Sequence, residues 1–488
     1  MRRGAGEFET QKIPRPVARL LQFLCSRLAV ECPCGPPGVN RRGRGGRADT
    51  GQDGPPDAHS RPDVQAPDGA RGRGGTIVER DGPSGEVVRD PLWHNIRLEP
   101  AAVRVVDTPA FQRLRYVRQL GHAFLVYPGA THSRFEHALG TYHLACRALA
   151  NLRDRGHLDG VSDADTLLIR LAALLHDIGH YPFSHALEEA GFPSHEALGA
   201  ASLRRGPLAD AVAESGVAEA AAAVGAVITG SSTHQLAGLV SGSIDLDKID
   251  YLKRDALMCG VPYGEIDVDR LLACLVVVEL DGRRRIGVLE KGLSALESLL
   301  FAKYQMYRNV YWHHAARSAN AMFKRLVGAA VRGGAIQRAA LSEATDDALI
   351  HDLASRDRTG LARALRERRL YKRGLELLPG ELGGIVPPWV WEGGEHLRTA
   401  EDALARRCNL APGELLIDFP HKTAMLGLDL PIARRDGSVE RLTDHGWPGR
   451  MDLPRMAEDL VESARRLRVF VARPVAIAAA DLGAVLES

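Results

Sequence analysis

The sequence predicts a mostly α-helical fold with a small β-hairpin inserted into it and a mixed α/β region towards the C-terminus. Three observations carry that expectation. Beyond Glu99, apolar residues recur mainly at three- and four-residue spacing. The run LVVVELDGRRRIGVL, residues 275–289, interrupts this pattern with two β-rich segments around Asp281-Gly282. Past Gly333, ELLIDFP (414–420) and LRVFVARPV (467–475) are candidate strands among otherwise helical segments.

Taken in order, residues 1–75 are expected to be a disordered extension. The stretch 35–75 is rich in Gly, Pro, Arg and Asp and has almost no large apolar side chains to offset the entropy of ordering. Order is expected from Thr76, and VVRDPLWHNIRLEP (87–100) reads as an extended segment with a turn at Asp90-Pro91. Residues 133–152 place Phe135, Leu139, Tyr142, Cys146 and Leu149 on one helical face. Ser162 followed by Asp165 resembles a capping box, opening a helix whose run LLIRLAALL (167–175) is apolar nearly all round and therefore central. Residues 245–258 form a further helix, and 294–331 a long helix or helix pair. The expected organisation is thus an extension (1–75), a catalytic domain (76–331) and a C-terminal region (332–488) for oligomerisation or for a lid.

Composition narrows the classes. The chain has 488 residues, 45% apolar and 25% charged, with a net charge of only +2, so no general polyanion-binding surface is indicated and nucleic acid is not a favoured partner. Seven scattered cysteines argue for reduced thiols and a cytoplasmic location, and Cys32-Pro-Cys34 lacks the second pair that a zinc site needs. No apolar run reaches membrane-spanning length.

The chemistry concentrates in LLHDIGHYPFSH (174–185), where an apolar helix runs straight into a His-Asp pair. Nine of the 18 histidines fall between His122 and His195. His137 sits on the 133–152 helix, His176 and Asp177 end the central helix, and Asp247 lies on the 245–258 helix. Burying carboxylates beside imidazoles is costly unless their charge is compensated. Two imidazoles and two carboxylates from three helices suit one divalent ion (Mn, Fe, Mg, Zn, Ni or Co), with positions left open for water. Asp247, Tyr251 and Asp255 share one helix face at four-residue spacing, although Tyr251 equally fits a core tyrosine and Asp255 a solvated charge. His122, His132 and His143 are read as structural or exposed.

HSRFEHALG, LLHDIGHYPFSH, PSHE and DLDKIDYLKRD, in this order, resemble the HD-domain metal phosphohydrolases, in particular the branch that contains the deoxynucleoside triphosphate triphosphohydrolases. The resemblance covers residues 87–331 well and the C-terminal region loosely. It implies an HD-domain helical core with His137, His176, Asp177 and Asp247 as metal ligands, and His180, His185 and His195 facing the reacting phosphate. Arg134 and Lys248 would hold phosphate oxygens, and Tyr251 and Asp255 would meet the sugar. Gln119 and Leu120 would read the 3′-hydroxyl and crowd out a 2′-hydroxyl, while Lys303, Tyr307 and Tyr311 would line the nucleotide pocket. The sequence departs from the family pattern in having Lys303 for Arg and Tyr307 for His. By spacing alone, these three residues fit an ordinary helix face as well.

The implied activity is hydrolysis of a deoxynucleoside triphosphate to deoxynucleoside and triphosphate, by a homo-oligomer. Two alternatives stay open on the residues: hydrolysis of another nucleotide, phosphoester or nucleic-acid end, and a regulatory module that binds nucleotide without turnover.

Overall fold

The computed structural model describes residues 85–382, 386–420, 429–443 and 452–487. The expected disorder of 1–75, the start of order at Thr76 and the Cys32-Pro-Cys34 pair lie outside the described residues. The fold is mostly helical, as the sequence predicts.

Its centre is three helices: α1 (Arg134–Asp154), α2 (Asp163–Leu175) and, later in the chain, the Leu246–Cys259 helix. Leu171 to Leu175 of α2 are all fully buried, as a helix apolar on every side must be. Both early helices start on capping boxes. Ser133 and Glu136 close the first, and Ser162 and Asp165 exchange bonds of 2.9 and 3.1 Å at the second. Between α2 and the Leu246–Cys259 helix, α3 (His195–Ser202) packs beside the turn that leaves α2. The Leu246–Cys259 helix, α4, is capped by Asp245 and stopped by Gly260 at φ +66°.

The segment 87–100 is a hairpin rather than a single extended run. β1 (Glu86–Asp90) pairs antiparallel with β2 (His94–Leu98). Asp90 makes the turn by accepting the backbone N–H groups of Leu92 and Trp93 at 2.9 and 2.7 Å. The predicted hairpin β3 (Leu275–Leu280) and β4 (Arg283–Leu289) is present, with Asp281 and Gly282 both at positive φ, 53° and 70°.

The long helical stretch splits into α5 (Leu293–Met306), a π-helical turn Tyr307–Tyr311, and α6 (His314–Arg332). Further on, α7 (Asp346–Arg356) is followed by strands β5 (Lys372–Leu377) and β6 (Leu415–Asp418). β7 (Pro431–Ala433) and β8 (Val439–Arg441) extend the β3–β4 sheet, while β9 (Leu467–Val471) lies between β5 and β6, antiparallel to both. Leu416 of β6 and Phe470 of β9 share an apolar cluster with Met322, Phe323 and Leu326 of α6. Beside it, Arg317 on α6 is ion-paired with Asp418 at 2.6 Å and with Glu189 at 2.8 Å. The C-terminal strands are thereby fixed to one side of the helical core. Among the described residues, no helix is long and apolar enough to cross a membrane.

Candidate metal and active centre

His137 from α1, His176 and Asp177 at the end of α2, and Asp247 from α4 converge. His137 Nε2 lies 3.1 Å from His176 Nε2, 2.9 Å from Asp247 Oδ1 and 3.6 Å from Asp177 Oδ2. His176 Nε2 lies 3.5 Å from Asp247 Oδ1 and 3.4 Å from Asp177 Oδ1. The tautomers follow from the partners behind the rings. His137 Nδ1 donates to the Asp250 carboxylate at 2.7 Å, and His176 Nδ1 donates to the Ala173 carbonyl at 2.8 Å. Once an ion displaces the proton that His137 otherwise retains, rings held this way would be neutral and turn two Nε2 lone pairs towards each other and towards two carboxylates. Three electron-rich atoms with no donor among them, His137 Nε2, His176 Nε2 and Asp247 Oδ1, are the chemistry of a cation site, and the Asp177 carboxylate flanks them, one oxygen towards each imidazole. Their spacing also fits, since bonds of about 2.1 Å to one ion set neighbouring donors about 3.0–3.4 Å apart.

The electrostatics agree. Burial disfavours a charge on His137, yet the Asp247 and Asp250 hydrogen bonds push its pKa up to about 10. Burial opposes ionisation of Asp177 and Asp247 as well. Arg134 and the imidazoles nevertheless hold Asp177 well below the usual carboxylate range, and His137 and His176 do the same for Asp247. The donor set is negative and asks for positive charge.

A second group flanks the first. His180 and His195 stack at 3.9 Å between ring centroids, 15° from parallel. Glu188, which the sequence reading missed, accepts from His195 Nδ1 at 2.9 Å and reaches His185 Nδ1 at 3.4 Å. His180 is fully buried and neither ring nitrogen has a well-formed hydrogen bond, although Nε2 stands 3.2 Å from Asp177 Oδ1. Burial and the Arg134 charge keep its pKa well below the ordinary value. His185 is the exposed member of the group. Arg134 is engaged inside the wall: it donates to Asp177 Oδ2 at 2.5 Å and to Ser184 Oγ.

The turn joining the two groups depends on Gly179, though not through an unusual φ. Its φ is not in the left-handed region, whereas Phe183 and Ser184 have φ of 59° and 62°. Gly179 is required by close approach: a Cβ there would overlap backbone atoms of His195 and Gly199 on α3. Glycine thus lets α3 bring His195 against His180. Phe183 is held in its strained conformation by Asp346 of α7, which accepts its N–H at 2.8 Å.

Both groups open into a cavity of about 1280 Å³. Gln119, Leu120, Lys248, Tyr251, Asp255, Tyr307 and Tyr311 line it, together with Trp391, Glu392 and Pro420 from the C-terminal region. The Gln119 side-chain oxygen is buried without a hydrogen-bond partner. Asp255 is gripped by His132 Nε2 at 2.8 Å and Tyr311 OH at 2.6 Å, which gives His132 the role the sequence left blank. Lys248 lines the wall while paired to Asp245 and donating to the Gly242 carbonyl at 3.2 Å. Lys303 is not part of the lining; it is buried, with Nζ 6.0 Å from the Tyr307 ring centroid. The π-helical turn spaces Tyr307 and Tyr311, whose rings meet edge to face at 4.9 Å. Asp250, Arg254 and Trp93, behind His137, were also missed. The spacing D-x-x-D-x-x-x-R from Asp247 was the available signal for the first two.

A helical cradle with a histidine on one helix, a His-Asp pair ending the next and an aspartate on a third defines an HD domain. The HD domain family matches residues 134–255 and the HD associated region matches residues 266–446, so the chain carries an HD domain followed by its associated region. It is 38% identical over 288 residues to an uncharacterized protein of Methanocaldococcus jannaschii, covering 59% of each chain. It is 27% identical over 362 residues to the deoxynucleoside triphosphate triphosphohydrolase SAMHD1 of Bos taurus, covering 64% of this chain and 61% of that one. The chain therefore spans less than two thirds of the length of these curated relatives. Among solved structures, a hypothetical protein from Aquifex aeolicus superposes with a TM-score of 0.63 at 26% identity, covering 80% of this chain and 97% of the other. A phosphohydrolase from Bacteroides thetaiotaomicron shares the fold at a TM-score of 0.62 and 21% identity, covering 80% of this chain and all of that one.

Proposed function

We propose that this chain is a metal-dependent phosphohydrolase of nucleotides, and that it hydrolyses a deoxynucleoside triphosphate to deoxynucleoside and triphosphate. The observation that carries the reading is the convergence of three electron-rich donor atoms, with the Asp177 carboxylate beside them, at the wall of a cavity large enough for a nucleotide. The likeness to the bovine triphosphohydrolase supports the substrate class.

His137, His176, Asp177 and Asp247 would hold one divalent ion, which when bound supplies Lewis acidity to a phosphoryl oxygen and to water. Two carboxylates balance the ion, so Arg134 beside them leaves the centre positive, as a polyphosphate requires. Lys248, paired with Asp245 on the same wall, would turn its ammonium to the phosphate oxygens. In the proposed reaction the oxygen of water forms a bond to the α-phosphorus and the bond from phosphorus to O5′ breaks. O5′ takes a proton from an imidazole, the water's proton passes to a base, and triphosphate leaves intact. His195 and His185, oriented by Glu188, are the proton donors within reach of solvent, and buried His180 stays neutral beside the Asp177 carboxylate. Tyr251, Tyr311 and the Asp255 carboxylate hold the sugar, and Gln119 offers its unpartnered oxygen to the 3′-hydroxyl while Leu120 crowds the 2′ position. Tyr307 stacks in the nucleotide pocket, with Lys303 supporting it from behind.

The test is to incubate purified protein with each dNTP across a series of Mn²⁺, Fe²⁺, Mg²⁺, Zn²⁺, Ni²⁺ and Co²⁺ and to separate the products. Deoxynucleoside with inorganic triphosphate is expected; deoxynucleoside diphosphate with phosphate as the sole products refutes the choice of bond. Homo-oligomerisation belongs to the same proposal, and light scattering with and without dNTP checks it.

A further inference from the structure

We propose that the β1–β2 hairpin, which lies upstream of the HD domain, is part of the metal centre: through Asp250 it fixes the orientation of His137 and sets the affinity for the ion. This rests on the metal reading above.

Asp250 is fully buried on α4 and all its acceptor capacity is used. Oδ2 accepts from His137 Nδ1 at 2.7 Å and from Arg254 Nε at 2.8 Å. Oδ1 accepts from Trp93 Nε1 at 2.5 Å and from Arg254 Nη2 at 3.0 Å. Arg254, itself fully buried, turns its Nη1 to Asp90 Oδ2 at 2.8 Å. Asp90 ends β1 and Trp93 precedes β2, so the hairpin clamps the carboxylate from one side while the guanidinium holds it from the other. Space for the clamp comes from Gly140 on α1, where any Cβ would overlap the Asp250 carboxylate and Arg254.

The consequence is chemical. A carboxylate behind a ligating imidazole keeps the proton on Nδ1, points the Nε2 lone pair inward and makes that nitrogen a better donor. A carboxylate free to rotate would do this part of the time. One held by four hydrogen bonds does it continuously. Asp90 and Asp250 both pair with Arg254, but only Asp250 touches His137, and that difference separates positioning from plain structural support.

The experiment measures Mn²⁺ affinity by calorimetry, and melting temperature, on the full chain. Asp250→Asn is expected to weaken Mn²⁺ binding at least tenfold, in the range seen when partners of ligating histidines are removed. Trp93→Phe keeps the ring and removes one donor, and is expected to weaken binding threefold or more. Asp90→Asn, which reaches Asp250 only through Arg254 and through the turn that presents Trp93, is expected to lower the melting temperature and to weaken Mn²⁺ binding less than Trp93→Phe does. Should Asp250→Asn fail to fold, Trp93→Phe decides alone. Unchanged affinity in the folded variants, or losses in all three that simply follow their stability, overturns the inference. A wild-type chain that takes up no Mn²⁺ overturns the metal reading itself.

Discussion

Gly179→Ala adds one methyl group at the point where the turn after α2 meets α3. The added Cβ would sit 2.9 Å from Gly199 Cα and nearer still to His195 O and Gly199 N, against an ordinary contact of 3.4 Å or more. All three atoms are backbone, so no side chain can swing aside; α3 must retreat on the order of 1 Å. Overpacking of this kind costs about 1–3 kcal/mol, and the lack of any flexible neighbour puts Gly179→Ala near about 3 kcal/mol. His195 is the first residue of α3 and stacks on His180, so the retreat carries it away from the centre. A displacement of about 1 Å in a positioned group costs roughly 100-fold in turnover. Urea unfolding gives the first quantity and kcat on the preferred dNTP the second, with metal content measured alongside, because His137 and Asp247 stand on other helices. Stability within about 0.5 kcal/mol of wild type, the usual range for inconsequential changes, together with turnover within threefold, would refute the reasoning.

Other outcomes follow from the same geometry. His176→Ala and Asp177→Ala should each abolish metal uptake and turnover together, and surviving activity in either would mean the ligand assignment is wrong. Arg317→Met takes the guanidinium from buried Asp418 and from Glu189 and leaves Lys324 as their remaining cation, which should cost about 2–3 kcal/mol in chemical unfolding and loosen the C-terminal strands from α6. Burial holds His122 down to about 4 against an ordinary 6.5, a shift that its bond to Asn320 only partly offsets. The unfolded chain therefore takes up a proton that the native state refuses. The stability present above pH 6.5 is lost as the pH falls towards 4, by about 3 kcal/mol for this group. His122→Gln should flatten the pH dependence of unfolding by that amount, and an unaltered slope would show that His122 does not titrate in this way.

The residues of the candidate centre could be picked out because they lie in short contiguous motifs on strongly periodic helices. His137 falls one turn into a capped helix, and His176-Asp177 follows a run that had to be buried whatever its partner. Asp247 could be put on a helix by its own surroundings. The partners behind them were not legible. His132 meets Asp255 across 123 positions and Trp93 meets Asp250 across 157, and no local pattern encodes such pairings. Gly179 shows the same limit, since only the packing of α3 against the turn after α2 revealed that its missing side chain is what matters. The turn at 87–100 was likewise legible, but the strand pairing it produces was not.

By itself, then, the sequence determined which residues are apolar on which helical face, where the main helices start, and that the His176-Asp177 pair ends a buried helix, because all of these are set by neighbours a few residues away. The tertiary structure alone decided the direction in which each ring nitrogen points, which part of the cavity wall Trp391, Glu392 and Pro420 supply, and which charges are paired. Those depend on contacts between segments far apart in the chain, and they exist only once the helices have packed.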